Sequence, residues 1–235
     1  MNLQNIQIEE YNLFAIGNLN LINNPKIAIV GSRKASKYSK EITFLLAKKL
    51  SNKFTIISGG ALGIDTEAHK GAFPNTIFVS PSSLDKIYPK SNETLIKNIY
   101  KNALALSLYE KNFLPRKYTF LERNKIIISL CDFVIIPEAE TKSGSMRSFE
   151  IAKELNKKVY VIPQRLNESS GTRYLAKENL AEVIWDIEEF CKKFEINDSS
   201  MVLSYEEAYK KYKEKLFEME ILGEVEIKNG KVYFN

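Results

Sequence analysis

Six short strand-like runs recur between residues 26 and 163: KIAIV (26–30), FTIIS (54–58), TIFVS (76–80), LALSL (104–108), FVIIP (133–137) and VYVIP (159–163). Runs this continuously apolar fit strands buried on both faces, because a strand with one wet face alternates apolar and polar residues. Between them lie segments with helical spacing at 37–51, 62–72, 92–102, 119–131 and 145–156; in the first of these Ile42, Leu45, Leu46 and Leu50 form one apolar stripe. Strand–helix alternation requires crossover connections, and these build an α/β fold with a doubly wound, mostly parallel sheet. No internal repeat or low-complexity linker interrupts the pattern.

Beyond about residue 197 the pattern changes. YEEAYKKYKEKLFEMEIL (205–222) reads as one amphipathic helix, and EVEIKNGKVYF (224–234) as two alternating strands around Asn229-Gly230, a strong hairpin signal. The chain therefore divides into a main domain, 1–197, and a small helix-plus-hairpin module, 198–235, that looks like the back half of a winged helix. This module is either a working DNA-binding wing or a packing and dimer-forming appendage.

With 44% hydrophobic and 27% charged residues in 235, the composition is that of a soluble globular protein. No apolar run approaches the ~20 residues of a bilayer span, and the first 24 residues carry two glutamates and no basic n-region, unlike a signal peptide. Cys131 and Cys191 lie far apart and suggest free thiols in a reducing compartment, so a cytoplasmic location without membrane contact is expected. The net charge is +5, but residues 192–235 hold 8 Lys/Arg against 9 Asp/Glu. Any attraction for a polyanion therefore resides in the main domain.

Ligands of a doubly wound sheet collect outside the carboxyl ends of its strands, and three of those ends are unusual. The 26–30 strand runs into Gly31-Ser32-Arg33-Lys34. The 54–58 strand runs into SGGALGID (58–65), with Ser58, Gly59 and Gly60 leading toward a helix. In PEAETKSGSMRS (137–148), Ser143-Gly144-Ser145 opens another helix. Glycine-rich turns at helix N-termini present backbone N–H groups and the positive end of a dipole, which suits phosphate. Three at one sheet edge predict an anion-binding rim.

The nature of the anion is narrowed by what is missing. Gly31 stands alone, without a G-x-G-x-x-G fingerprint, and neither a Walker A loop nor a G-x-S-x-G elbow occurs, which weighs against dehydrogenases, P-loop NTPases and α/β-hydrolases. A lone His69 without clustered ligands gives no metal site and reads as a packed residue; Asp65 reads as a cap or an organiser of the glycine loop. KNFLPRKYTFLERNK (111–125) points to a polymer, since five cations, Lys111, Arg116, Lys117, Arg123 and Lys125, face one acid, Glu122, with Phe113, Tyr118 and Phe120 interleaved. Cations for phosphates and aromatic faces for bases are what single-stranded nucleic acid requires. The competing reading is a solvated basic loop anchored by its aromatics, which for Phe113 has at least equal weight.

Taken together, GN (17–18), IAIVGSR (27–33), ISGGALGIDTEAHKGAF (57–73), IYPKSN (87–92), FLERNKIIISL (120–130) and SGSMRSFEIA (143–152) resemble, in order, the motifs of the DNA-processing protein A family, DprA or Smf. The resemblance spans roughly residues 15–170. It implies an extended Rossmann-like domain that binds single-stranded DNA, forms a homodimer and helps load RecA recombinase during natural transformation, with no catalysis, cofactor or metal. By position it implies a DNA-binding set of Gly31, Ser32, Arg33, Lys34, Ser58, Gly59, Gly60, Lys117, Phe120, Arg123, Asn124, Ser143, Gly144 and Ser145. The sequence departs from the family at Gln164, where a glycine is usual, and in its abbreviated C-terminal module. The rival from another class is a nucleoside-monophosphate phosphoribohydrolase of a related Rossmann variant. There Glu150 would stand near the catalytic glutamate, although KSGSMRS lacks that enzyme's double glycine and threonine.

Overall fold

The computed structural model describes residues 3–196, 202–221 and 224–234. The chain forms two compact units, Met1–Ile196 and Asn197–Asn235. The expected boundary at 197/198 lies outside the described residues.

In the first unit the six apolar runs become β3 (Lys26–Ile29), β4 (Thr55–Ser58), β5 (Thr76–Ser80), β6 (Leu104–Ser107), β7 (Phe133–Ile136) and β8 (Lys158–Val161). The helices that join them are α1 (Lys37–Leu50), α2 (Ile64–Ala72), α3 (Glu93–Asn102), α4 (Thr119–Ser129) and α5 (Gly144–Glu154). All neighbouring pairs among these six strands are parallel. Three further strands extend the sheet: β1 (Gln4–Ile8) and β2 (Tyr11–Gly17), antiparallel at one edge, and β9 (Glu182–Val183) at the other. The nine-stranded order is β1-β2-β6-β5-β4-β3-β7-β8-β9, and α6 (Ser170–Lys177) and α7 (Ile187–Lys192) complete the unit.

The near-continuous apolar character of the strands has the expected cause. Ala28 and Val30 belong to one apolar cluster, with Val134 and Ile136; Ile27 and Ile29 belong to the cluster on the opposite face, with Ile135 and Tyr160. Ile27, Ala28 and Ile29 have no exposed surface, and each fully buried Ile contributes about 1.5–3 kcal/mol relative to leaving it in water. The architecture is thus an extended Rossmann-like, doubly wound sheet.

Strand order also places the functional end. The chain steps outward from β3 through β4, β5 and β6, then returns to lay β7 on the other side of β3. The loops leaving β3 and β7 therefore diverge at a topological switch point, where such sheets hold their ligands.

The second unit contains β10 (Val202–Ser204), α8 (Tyr205–Tyr212), α9 (Lys215–Ile221), β11 (Val225–Lys228) and β12 (Lys231–Phe234). Its hairpin turns at Asn229 (φ 50°) and Gly230 (φ 71°), the two positive values that a tight two-residue turn requires. The single helix expected over 205–222 is instead two, broken at Lys213 with φ 50°; residue 222 lies outside the described residues. Ser204 and Glu207 form a reciprocal capping box at the start of α8.

Candidate functional site

A groove of about 610 Å³ opens at the switch point. Gly31, Ser32, Arg33 and Lys34 form one wall, Ser143, Gly144, Ser145 and Arg147 another, and Lys117 and Phe120 border it from the loop and first turn of α4. Ser143, in extended backbone, caps α5 by accepting a hydrogen bond from the Met146 N–H at 3.3 Å. A helix start leaves its first N–H groups without intrahelical partners and at the positive end of the dipole, so Gly144 and Ser145 bring anion-binding capacity to this wall.

Arg33, Lys34, Lys117 and Arg147 are exposed, and among the described residues none of them is in an ion pair. Elsewhere on the surface lysines are paired, as in Lys37–Glu41 at 3.6 Å, Lys70–Glu67 at 3.0 Å and Lys97–Glu93 at 2.7 Å. The carboxylates at the groove are Asp65, which is buried, and Glu140, which accepts a hydrogen bond from Ser170.

The turn at 58–65 corrects the three-turn rim. Ser58 is fully buried and its hydroxyl donates to the Ile29 carbonyl at 2.6 Å, so it offers nothing to a ligand. Gly59 and Gly60 are buried as well. A Cβ on Gly60 would lie 2.6 Å from the Phe78 ring, and one on Gly59 would lie 2.2 Å from Arg123 Nη1 and 2.7 Å from Asp65 Oδ2. Two N–H groups further along the turn are also satisfied within the protein. Ala61 N–H donates to Asp65 Oδ2 at 3.2 Å and Ile64 N–H to the Ser32 carbonyl at 3.2 Å. Gly63, at φ 83°, has room for no side chain, since a Cβ would meet Ser32 O at 2.3 Å. This turn braces the Gly31–Lys34 loop from behind, and the groove is walled by the other two turns, Gly31–Lys34 and Ser143–Ser145.

Arg123 and Asn124 also line the groove, and their polar groups are largely engaged within the protein. Arg123 is only 7% exposed, and its Nε and Nη2 both donate to Asn124 Oδ1, at 3.1 and 2.8 Å, while Asn124 Nδ2 donates to Ser148 Oγ at 3.1 Å. Burial pushes the Asp65 carboxyl up and the Arg123 guanidinium down, and the opposite charge of each partner restrains the other's shift. His69 lies beneath the same turn, its Nε2 2.7 Å from the Gly59 carbonyl and its Nδ1 2.7 Å from Thr76 Oγ1. Burial lowers its pKa to about 4. The ring is therefore neutral at pH 7, donating Nε2–H to the Gly59 carbonyl, while Nδ1 shares the Thr76 hydroxyl with the Ile56 carbonyl, which lies 2.8 Å from Thr76 Oγ1.

The aromatics divide as the sequence allowed. Phe113 stacks on Tyr109 at 4.2 Å with rings 8° from parallel, so it anchors the loop. Phe120 is half-buried beside the groove, with the Arg33 guanidinium carbon 5.4 Å from its ring centroid, that of Arg123 at 5.8 Å and the Tyr88 ring at 5.7 Å. The π-face of Phe120 holds Arg33 over the groove. Arg147 escaped the sequence reading. It lies one turn beyond Ser143 on α5, a spacing that brings two residues to one helix face.

Gln164, at the departure from the family pattern, donates from Nε2 to the Pro137 carbonyl at 2.8 Å and to Ser39 Oγ at 3.1 Å, tying the loop after β8 to that after β7. Glu150 is exposed and does not line the groove. Among the described residues no cluster of His, Cys, Asp and Glu could hold a metal ion, and no helix is long and apolar enough to cross a membrane.

Fold and groove together define a Rossmann-like protein with a cationic, aromatic-edged cleft at its switch point. The family model for DNA recombination-mediator protein A matches residues 1–195, and the chain belongs to that family, the DprA/Smf proteins. It is 41% identical over 171 residues to DNA processing protein DprA of Streptococcus pneumoniae, covering 71% of this chain and 61% of that one. The chain thus spans about three-fifths of the length of such curated relatives. The structure of DNA processing protein A from Helicobacter pylori, described for its unique single-stranded DNA binding mode, superposes with a TM-score of 0.77 at 45% identity, covering 80% of this chain and 89% of that chain. That of Streptococcus pneumoniae DprA gives 0.70 at 40%, covering 74% and 62%.

Proposed function

We propose that the groove binds single-stranded DNA, with Arg33 and Lys117 on phosphates, the Ser143–Ser145 turn presenting N–H groups to a phosphate, and Phe120 stacking on a base. The observation that carries this reading is the convergence of unpaired cations, a helix start and an aromatic ring at one cleft. The single-stranded DNA binding described for the Helicobacter pylori relative supports it. Arg33 offers a planar fork of donors that lysine cannot reproduce, whereas Lys117 acts as a point charge. A ligand phosphate draws Arg33 off the Phe120 face, and that face is then free to take a base.

The family's name as a recombination mediator supports the wider role: the protein shields incoming strands during natural transformation and helps load RecA recombinase, acting in the cytoplasm by binding and not by catalysis. The exposed position of Glu150 speaks against the phosphoribohydrolase reading. Homodimer formation is part of the proposal. Trp185, Tyr174 and Leu180, all exposed near the β9 edge, offer an apolar surface for it.

Salt-titrated binding of three variants tests the site. Arg33→Ala and Lys117→Ala should each weaken binding and flatten the dependence of log affinity on log salt by roughly 0.7, the single-strand value per phosphate. Phe120→Ala should weaken binding at every salt concentration, by about 1–3 kcal/mol, and leave that slope unchanged, with Phe120→Trp largely neutral. If Phe120→Ala melts early yet binds as tightly as wild type, its stacking role is wrong.

A further inference from the structure

The basic segment 111–125 carries five cations and a single carboxylate, Glu122. A carboxylate leaning over the groove would offset part of the positive charge that a phosphate needs. Glu122 does not line the groove, whereas its neighbours Phe120, Leu121 and Asn124 do. It sits in the first turn of α4, turned about 100° around the helix axis from Leu121, and there its Oε2 accepts a hydrogen bond from the Tyr109 hydroxyl. Burial, and then the hydrogen bond to Glu122, push the Tyr109 phenol above its ordinary range, so it remains the donor. Among the described residues no cation forms an ion pair with Glu122. Tyr109 is itself fixed. It follows β6 by two residues, its N–H donates to Ser107 Oγ at 3.0 Å, and its ring stacks on Phe113. Phe113 in turn is held through its carbonyl, which accepts from the Ser83 N–H at 3.1 Å and the Ser83 hydroxyl at 3.0 Å. The Arg116 guanidinium carbon lies 5.6 Å from the centroid of the Phe113 ring. The two stacked rings thus keep opposite charges of one segment apart, Arg116 at Phe113 and Glu122 at Tyr109.

Resting on the reading of the groove as a single-stranded DNA site, we propose that Tyr109 is a positioning residue for it: its hydroxyl ties down the one carboxylate of the basic segment, off the groove, and so leaves Lys117 uncompensated for a phosphate. Tyr109 touches no DNA. Without the hydroxyl, the exposed Glu122 side chain is free to swing toward Lys117, five residues before it, and competes with the strand for that ammonium group. Such a competing pair is exposed, so it is weak and salt screens it. The cost of losing the hydroxyl is therefore modest, and it fades as salt rises.

The test is salt-titrated binding of an oligothymidine to the full chain, as wild type, Tyr109→Phe, Lys117→Ala and the double variant Tyr109→Phe with Glu122→Gln. Tyr109→Phe keeps the ring and its stack and removes only the hydroxyl. It should bind roughly 2- to 5-fold more weakly than wild type at low salt, the range of an exposed ion pair, and approach wild-type affinity as salt rises. Glu122→Gln in the same chain removes the competing charge without restoring the tie, and should return binding to the wild-type value at every salt concentration. A purely structural role for the hydroxyl predicts otherwise. If the double variant stays as weak as Tyr109→Phe, or the loss persists undiminished at high salt, the hydroxyl only holds the loop and the proposal is wrong. Wild-type binding by Tyr109→Phe beside impaired binding by Lys117→Ala also overturns it, and leaves the groove reading intact. Binding indifferent to both substitutions would remove the groove reading itself, and this proposal with it.

Discussion

Two turns of this protein, residues 58–65 and 143–145, read alike: a serine, one or more glycines and the start of a helix at the carboxyl edge of the same sheet. Their fates are opposite. In the first, the N–H groups of Ala61 and Ile64 are taken by Asp65 and by the Ser32 carbonyl, and the glycines exist because Arg123 and Phe78 press against them. In the second, nothing lies within 4 Å of where a Gly144 Cβ would be, and the turn faces open solvent beside Arg147. Glycine in the first turn makes room for the protein, and in the second it leaves room for a ligand. Anion binding depends less on a supply of N–H groups than on whether the protein already satisfies them.

That contrast predicts a hierarchy of effects. The largest belongs to the braced turn. Arg123→Ala leaves the buried Asn124 Oδ1 without its two donors and removes an opposite charge near buried Asp65, and should destabilise the first unit by about 3 kcal/mol, read by denaturant unfolding. Gly59→Ala, which forces a methyl group into that same guanidinium, should be clearly destabilising too. A wild-type unfolding midpoint in either would contradict the brace.

The next effect is a pH dependence from the same region. The His69 pKa is depressed to about 4 in the folded chain against an ordinary value near 6.5, so on lowering pH the unfolded state binds the proton first. Its contribution, roughly 3 kcal/mol at full development, is complete above pH ~6.5 and is lost as pH falls toward 4. Unfolding free energies between pH 7 and 4.5 should fall more steeply for wild type than for His69→Gln. Equal slopes would remove His69 from the account.

The open turn should respond much less. Ser143→Ala removes the cap of α5 and should cost about 1 kcal/mol. Gly144→Ala should change stability by less than about 0.5 kcal/mol, as surface substitutions usually do, yet weaken DNA binding by holding the backbone off the phosphate. If Gly144→Ala is as damaging to stability as Gly59→Ala, the two turns are not different in kind.

The buried strands could be read directly because each alternates its side chains between two apolar clusters, so Ile27 to Val30 leave no polar gap. The edge strand β1 could not, since QNIQI lies largely in solvent and looks like any polar loop. The break at Lys213 has no glycine or proline to announce it. Motif position and chemistry pointed to Arg33, Lys117, Phe120 and Ser143–Ser145, which the structure places along one groove. The burial of Ser58, Gly59 and Gly60 was not legible, because sequence does not reveal which side chains will press against a glycine turn. Arg147 was missed because the groove it shares with Arg33 exists only once β7 has been laid beside β3.

The measurement that bears most directly on the central claim is direct competition between single-stranded and duplex oligonucleotides of one sequence at two salt concentrations. Unpaired bases for Phe120 and phosphates for Arg33 and Lys117 predict that the single strand wins at both. They also predict little sequence dependence and an affinity that falls with salt at roughly −0.7 per neutralised phosphate in log–log terms. Equal affinity for the duplex, or affinity indifferent to salt, would contradict the assignment of this groove to single-stranded DNA.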